Sequence, residues 1–432
     1  MRFVGTGLLL FVLLIVPVWA WLRYGHRTWW EQPATRWAFF GFVGVGVSSY
    51  GAWALARYLQ VSWERVAWVS GLVSACLLVV LALNLTLPIS AALRWILHRL
   101  LPRHPHEGDG AAAPASTAPV PADAIVASPP PVAVVATSPA PAPRSWPRRQ
   151  FLELAAASAP ATALAASFGG VAESFSDPDI PRVELAFAGL PADLEGLRVL
   201  QLTDLHLGIY RQLDHLERVL ERAAAMRPHL VVLTGDVADD LDLLPDALRL
   251  AEQVRPSLGA FACLGNHEHY RGLREVLRAH ERSGVDLLRD EQRIVRAGRS
   301  RLRIAGSDDP ARLHGSTSSY YAASTRSALG RGPSGDFSLL LCHRPAGATA
   351  AARRGASLVL SGHTHGAQVG AAGRSAFEPV APGAFLRGPY KLRSDDGGNA
   401  RAWLYTSSGF GHWLPFRLGC AAEAPLIELR SA

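Results

Sequence analysis

Three uncharged apolar stretches fill most of the first 100 residues of this 432-residue chain and leave that region few ways to fold. They run from Gly5 to Trp21, between Arg36 and Arg57, and between Arg65 and Arg94. Each reaches or approaches the roughly 20 residues a helix needs to cross the hydrocarbon core of a bilayer. Trp and Arg stand at their edges, the residue types that anchor a span at the membrane surface. Three such runs in succession argue against a buried soluble bundle. The expectation is a transmembrane region of three helices over residues 1–100.

From about Arg103 to Pro147 the chain turns to Ala, Pro, Ser and Val, with runs such as Pro139-Ala140-Pro141-Ala142-Pro143. This composition cannot pack a core, so 101–147 is expected to be a Pro/Ala-rich linker of partly extended polyproline character. Next come Pro147-Arg148-Arg149-Gln150-Phe151-Leu152 and a weakly apolar, Ala-rich run to about Gly170. An arginine pair, x-Phe-Leu, an apolar stretch and the small residues Ala163-Leu164-Ala165 are similar to a twin-arginine export signal, here placed internally. The same segment, 148–170, reads equally as a fourth membrane helix with Arg148 and Arg149 as its cytoplasmic anchors. On both readings Arg94, Arg99, Arg103, Arg144, Arg148 and Arg149 mark a cytoplasmic stretch, and the chain beyond Gly170 is carried outward.

Beyond about Ile180 the texture is that of a soluble α/β domain, expected over 180–432. Apolar runs at Leu197 to Leu202, Leu230 to Leu233, Ala260 to Leu264, Phe337 to Leu341 and Ser357 to Leu360 read as strands. Between them lie helical patterns, such as Leu213, Leu216, Val219, Leu220 and Ala223 on one face. Strands alternating with helices predict sheets covered by helices. A formal charge of +7 suggests an acidic partner, but the only lysine is Lys391. That skew towards arginine reflects base composition, so no nucleic-acid partner is expected. Cys76, Cys263, Cys342 and Cys420 form no CxxC or dense framework, which leaves open a bridge between two of the last three.

Each of the five apolar runs ends in a turn of catalytic-type residues. These are Thr203-Asp204-Leu205-His206, Thr234-Gly235-Asp236-Val237-Ala238-Asp239, Gly265-Asn266-His267-Glu268, Cys342-His343 and Ser361-Gly362-His363-Thr364-His365. Ligands of α/β sheets gather at the carboxyl ends of strands, so the five turns are expected to converge. Two divalent metals roughly 3.5–4 Å apart need a bridging carboxylate, with imidazoles and an amide oxygen completing the shells. Asp-x-His and His-x-His spacing would place alternate side chains on one side of an extended backbone. Taken singly, His215, His229, His280, His314 and His412 read as surface or satisfied core residues. Asp308 and Asp309 read as a turn, Asp240 as a helix cap and Arg344 as a solvated arginine beside a ligand.

The ordered set resembles the calcineurin-like metallophosphoesterase superfamily, whose pattern is Asp-x-His, Gly-Asp-x-x-Asp, Gly-Asn-His-Asp/Glu, a lone His and Gly-His-x-His. The nearest likeness is to membrane-associated bacterial phosphodiesterases with N-terminal spans or an arginine-pair signal. It rests on Thr203 to Gly208, Gly265 to Glu268, Gly362 to Gln368 and the tail from Gly409 to Leu418. Ala367 and His269 depart from the usual pattern without removing a ligand. The resemblance implies a four-layer α/β/β/α sandwich holding two divalent ions, manganese, iron or zinc. Asp204, His206, Asp236 and His365 would hold one metal; Asn266, His343 and His363 would complete the second, with Asp236 bridging. His267 would act as general acid oriented by Asp239, and a dimetal-bound hydroxide would attack a phosphodiester or pyrophosphate. The expected substrate is a lipid or envelope phosphoester, met by a multi-pass protein of the bacterial cytoplasmic (inner) membrane whose catalytic domain is extracytoplasmic. Two alternatives are a UDP-2,3-diacylglucosamine pyrophosphate hydrolase of lipid A synthesis and a non-catalytic metal-binding membrane sensor.

Overall fold

The computed structural model describes residues 2–59, 61, 63–100, 148–310, 317–330, 337–392, 402–412 and 414–432. The linker expected over 101–147, and His314, lie outside the described residues.

The first 100 residues form α1 (Arg2–Ala20), the short α2 (Arg27–Trp30), α3 (Pro33–Tyr58) and α4 (Trp63–Leu100). A further helix, α5 (Arg148–Ser174), follows the linker and runs four residues past the expected Gly170. Among the described residues four segments are long and apolar enough to cross a membrane: Leu8–Gly25, Pro33–Ala56, Val69–Leu97 and Phe151–Ser174. Phe11 packs against Phe42 and Tyr50 at ring distances of 6.1 and 5.7 Å, and this knot joins α1 to α3. Leu9, Leu13, Val16, Trp37, Phe40 and Leu85 nevertheless point outward. In water so continuous an exposed apolar surface would aggregate, whereas lipid tails cover it without cost.

The described residues from Arg182 onward include two six-stranded sheets. The first has the order β1 (Arg182–Phe187), β14 (Leu426–Ser431), β2 (Arg198–Leu202), β3 (Leu230–Thr234), β4 (Ala260–Cys263) and β5 (Val285–Leu287). The second has the order β12 (Gly388–Leu392), β13 (Ala402–Thr406), β9 (Leu358–Ser361), β8 (Phe337–Leu341), β7 (Ser300–Gly306) and β6 (Glu291–Ala297). A two-stranded hairpin, β10 (Gly370–Ala371) with β11 (Arg374–Ser375), stands apart. Within the sheets β2, β3, β4 and β5 run parallel, as do β7, β8, β9 and β13. All five apolar runs read from the sequence are therefore strands, and parallel pairing brings their carboxyl ends to one edge.

Three cores separate four layers. Val199, Val232, Phe261, Ile304, Leu339, Leu360 and Tyr405 fill the space between the sheets. On the outer face of the first sheet lie α6 (Leu213–Ala225), α7 (Leu244–Gln253) and α9 (Leu273–Glu281), which bury Leu216, Val219, Leu220, Leu248 and Val276. The second sheet is covered by α10 (Thr317–Leu329) and α11 (Ala348–Arg353) through Tyr321, Ala328 and Ala351. Helix, sheet, sheet, helix is the α/β/β/α sandwich expected. It follows from strands such as Leu230–Thr234, buried on both faces, which must be covered on both.

Candidate active site

The two sheets are tied together at the edge where their strands end. Gln201 at the end of β2 donates from Nε2 to Thr234 Oγ1 of β3 (2.9 Å) and to the Ser361 carbonyl of β9 in the other sheet (3.0 Å). His343, just past β8, donates from Nδ1 to the Thr234 carbonyl at 2.8 Å. Turns from both sheets thus open onto the same cleft. A short helix, α8 (Asn266–Arg271), begins there with Asn266 and His267 in its first turn.

The ligand turns are not extended, contrary to the alternation read from Asp-x-His and His-x-His. Asp204, His206, Asp236, His363 and His365 all take positive φ, between 47° and 69°. A left-handed residue costs a non-glycine side chain energy and persists only where surrounding contacts enforce it. Each such residue turns the chain sharply, which lets neighbouring side chains converge on a point instead of lining an edge. Two glycines make room: a Cβ at Gly362 would lie 2.0 Å from Asp204 Oδ2, and one at Gly265 would lie 2.2 Å from Asp236 Oδ1.

Three groups of ligand-type atoms result, each within 4.8 Å: Asp204, His206 and His365; His206, Asp236 and His267; Asp236, His343 and His363. Asp236 belongs to two of them. Asp236 Oδ2 lies 3.3 Å from His343 Nε2 and 3.8 Å from His206 Nε2. His365 Nε2 is 3.6 Å from Asp204 Oδ1. Asn266 Oδ1 stands 3.2 Å from His343 Nε2, and His363 Nδ1 stands at the same distance. All seven residues expected to hold metal are therefore gathered in one cleft.

The donor set fits divalent cations. His206 is buried, its Nδ1 occupied by Asp239 Oδ2 at 3.1 Å, and its Nε2 has no hydrogen-bond partner. A carboxylate behind the ring and a bare nitrogen in front is the arrangement of a metal-binding histidine. Burial lowers the pKa of His363 to about 3 and of His365 to about 4, which keeps lone pairs available on both rings. Burial pushes the Asp236 carboxyl up, but His343, His206 and His267 override it and hold it well below the usual range. His343 goes the other way: burial lowers it, yet the Asp236 carboxylate takes it up to about 10. This concentration of unlike charges out of water needs an ion or a proton to balance it.

His267 and Asp239, read as acid and orienter, are in contact. Asp239 Oδ1 meets His267 Nδ1 at 2.6 Å and accepts from Arg271 Nε at 2.9 Å. The His267 backbone N–H donates to Asp236 Oδ1 at 2.9 Å, so the ring is seated beside the shared carboxylate. Asp240 instead accepts from the Asp242 N–H at 3.2 Å and caps the following turn.

The sequence model of the calcineurin-like phosphoesterase family matches residues 197–367, a span that begins at β2 and ends just past His365. The chain carries a calcineurin-like metallophosphoesterase domain. Three similar proteins bear metallophosphoesterase names. A transmembrane protein with metallophosphoesterase domain from Danio rerio is 29% identical over 281 residues, 61% of this chain and 60% of that protein. An uncharacterized metallophosphoesterase from Aquifex aeolicus is 35% identical over 182 residues, 41% of this chain and 66% of that protein. The uncharacterized metallophosphoesterase YkuE of Bacillus subtilis is 29% identical over 301 residues, 66% of this chain and 98% of that protein. The chain thus spans 60% of the Danio rerio protein's length.

Several residues of this metallophosphoesterase domain escaped the sequence reading. Asp239 serves His206 as well as His267, so one carboxylate orients two rings. Arg344 is not solvated: it pairs with the buried Asp309 at 2.7 Å and donates to His363 Nε2 at 3.1 Å. His269, the departure noted after Gly-Asn-His-Glu, pairs with Asp308 at 3.1 Å. His412 is buried between Tyr210 and Phe175 with neither ring nitrogen hydrogen-bonded, and burial holds its pKa well below the usual value. Arg417 is buried and donates to the carbonyls of Ser408, Gly409, Gly411 and Cys420, which shapes the loop behind Asp204. All four cysteines are free and buried, so the disulfide left open by the sequence is absent.

Glu268 is the most consequential omission. Its buried carboxylate accepts from the backbone N–H groups of Gly265 (2.8 Å), Asp236 (2.9 Å) and Val237 (2.7 Å). It clasps the β3 and β4 turns together. Changing Glu268 to Ala leaves three buried donors unpaired and is expected to cost roughly 3 kcal/mol. For a domain of this size the Tm falls by roughly 6–12 °C, measurable by calorimetry. A shift under about 2 °C would mean that the clasp contributes little.

Proposed function

We propose that the domain is a metal-dependent phosphoesterase that cleaves a phosphodiester or pyrophosphate bond in a lipid or envelope substrate with two divalent cations. The observation carrying this reading is the Asp236 carboxylate, which is common to the group with His206 and His267 and the group with His343 and His363. Asp204, His206, Asp236 and His365 would hold one cation, and Asp236, Asn266, His343 and His363 the other. Manganese, iron or zinc suits this mixture of carboxylate, amide and imidazole donors. Bound there, such a pair supplies Lewis-acid charge for phosphoryl oxygens and lowers the pKa of an attacking water.

The chain's own residues do the rest. Asp239 accepts from His267 Nδ1 and orients the ring, leaving Nε2 to hold the proton that the leaving oxygen needs. Burial pushes the Asp239 carboxyl up, but hydrogen bonds from His206 and His267 hold it well below the usual range, and Arg271 Nε at 2.9 Å aims it. The Asp309–Arg344 pair anchors a cation beside His363, where a phosphate anion gains from it.

We place the domain outside the cytoplasmic membrane. The arginines around the α4–α5 connection favour a cytoplasmic position for that end. The domain emerges from the opposite end of α5, at Ser174. α5 contacts the domain through Gly170 and Ser174, which supports a retained fourth span over a cleaved signal. An outside position favours an envelope phosphoester over the cytoplasmic UDP-2,3-diacylglucosamine.

Chelation tests the metal requirement. Full-length protein stripped with dipicolinate is expected to lose hydrolysis of bis(4-nitrophenyl) phosphate by about 100-fold or more, with recovery at about two manganese or zinc ions per chain. Unchanged hydrolysis by protein shown to be metal-free would end this reading.

A further inference from the structure

We propose that Phe377, Val380, Leu414 and Leu418 form a membrane-contact rim that seats the mouth of the cleft on the bilayer face from which α5 emerges. This rests on the reading of α5 as a span, and not on which phosphoester is cleaved.

These four side chains are 46%, 79%, 38% and 36% exposed. Single exposed apolar residues are ordinary on a water-facing surface, but these four sit on backbone segments bonded to one another. Leu418 bridges to Val369, and its N–H donates to the Gln368 carbonyl at 2.9 Å. Gln368 Nε2 donates to the Leu414 carbonyl at 2.8 Å, and the Ala376 N–H donates to the Val369 carbonyl at 2.8 Å. Phe377 is next in the chain, and Val380 turns back onto its carbonyl at 3.1 Å. The patch is reached from His365 through a tight turn, His365–Gln368, whose four residues all take positive φ. It therefore belongs to the lip of the cleft.

The depth of this lip is set by the residues between its two leucines. Phe416 packs on Gly170 of α5 so closely that a Cβ there would lie 2.2 Å from the ring. The Arg417 N–H donates to the Gly170 carbonyl at 2.7 Å. Gly170 lies within the apolar segment Phe151–Ser174, four residues from its end. At 1.5 Å per residue this is about 6 Å below the end of the span, and interfacial segments bury their apolar side chains roughly 5–10 Å deep. Leu414 and Leu418, on either side of Phe416, are thereby held at the boundary between headgroups and acyl chains.

A second attachment prevents the domain from tilting away. Arg211 donates from Nη2 to the carbonyls of Ser174 (2.9 Å) and Ser176 (2.7 Å) at the end of α5. Tyr210 OH meets Ser70 Oγ of α4 at 2.8 Å, and Phe175 packs edge-on against Tyr210 at 6.1 Å. Both loops flanking Asp204, the one from His206 to Arg211 and the one from Gly409 to Leu418, thus ride on the same end of the α4–α5 pair. A phosphoester whose acyl chains stay in the bilayer would present its headgroup at this lip.

Full-length Val380→Cys protein, labelled with bimane, tests the rim in single-chain nanodiscs of phosphatidylethanolamine and phosphatidylglycerol. Arg299→Cys, exposed on the hairpin at the opposite end of the strands, supplies the aqueous reference. The expected result is a blue-shifted emission at 380, quenched several-fold more than at 299 by a lipid carrying a nitroxide near the headgroup. Equal quenching at the two positions overturns the proposal. A blue shift without lipid quenching does so too, because it assigns the rim to a protein partner. Hydrolysis of bis(4-nitrophenyl) phosphate by the same samples reports the phosphoesterase reading separately, since neither substituted residue touches the ligand cluster.

Discussion

Replacing Asp236 with Asn is expected to lower hydrolysis of bis(4-nitrophenyl) phosphate on the order of 10³-fold, with loss of bound metal. The substitution is nearly isosteric. An amide oxygen at the Oδ1 position still accepts from the His267 N–H, and Gly265 still leaves it space, so the turn after β3 keeps its shape. What disappears is the negative charge that faces His343 Nε2 at 3.3 Å and His206 Nε2 at 3.8 Å. On the two-cation reading proposed above, a neutral amide would no longer offset the mutual repulsion of the cations. Elemental analysis alongside the rate measurement separates the outcomes. Metal loss with an unchanged Tm supports a shared ligand. Two metals retained with activity within about tenfold of wild type would remove Asp236 from the bridging position.

Changing His267 to Ala is expected to act through the leaving group, with metal content unchanged. An alkyl phosphodiester must expel a strongly basic oxygen, and loss of a positioned general acid there costs typically 10²–10⁴-fold. A 4-nitrophenolate leaves without protonation, so its ester should lose far less. A plot of rate against leaving-group pKa should steepen in the variant. An equal loss for every leaving group would make His267 a positioning residue that acts through its ring contact with Asp239. Asp239→Asn should show the same trend with a second component, because Asp239 also orients His206.

Much of the cleft was legible because its signals are local. An apolar run of four to six residues that ends in Asp, Asn or His is visible within one short window. Parallel strands then deliver their ends to one edge whatever happens elsewhere. β2 and β8 end where the runs do and β3, β4 and β9 within one residue of it, and the seven ligand-type residues gathered accordingly. The membrane segments were legible for a similar reason: the signal is mean hydropathy over about 20 residues, which does not depend on neighbours.

The rest depended on contacts that no window contains. Glu268 looked like the fourth residue of a motif, yet its partners Asp236 and Val237 lie more than 30 residues earlier. Arg344 found Asp309 across 35 positions, and Ser70 met Tyr210 across 140. The extended backbone inferred from Asp-x-His failed for a related reason. Side-chain alternation holds for a strand, but Asp204 and His206 lie past the end of β2, where packing against Gly235 and Gly411 sets φ.

By itself the sequence determined which atoms are available to bind metal, the order in which the strand ends present them, and the length of the apolar helices. These are properties of composition and short-range pattern. Only the tertiary structure decided that Asp236 is common to two ligand groups, that Asp239 serves two rings, and that the lip of the cleft rests on the last turn of α5. Each of those depends on the distance between groups far apart in the chain, which is set when two sheets and a helix pair pack, and on the desolvation that packing imposes on the charges caught between them.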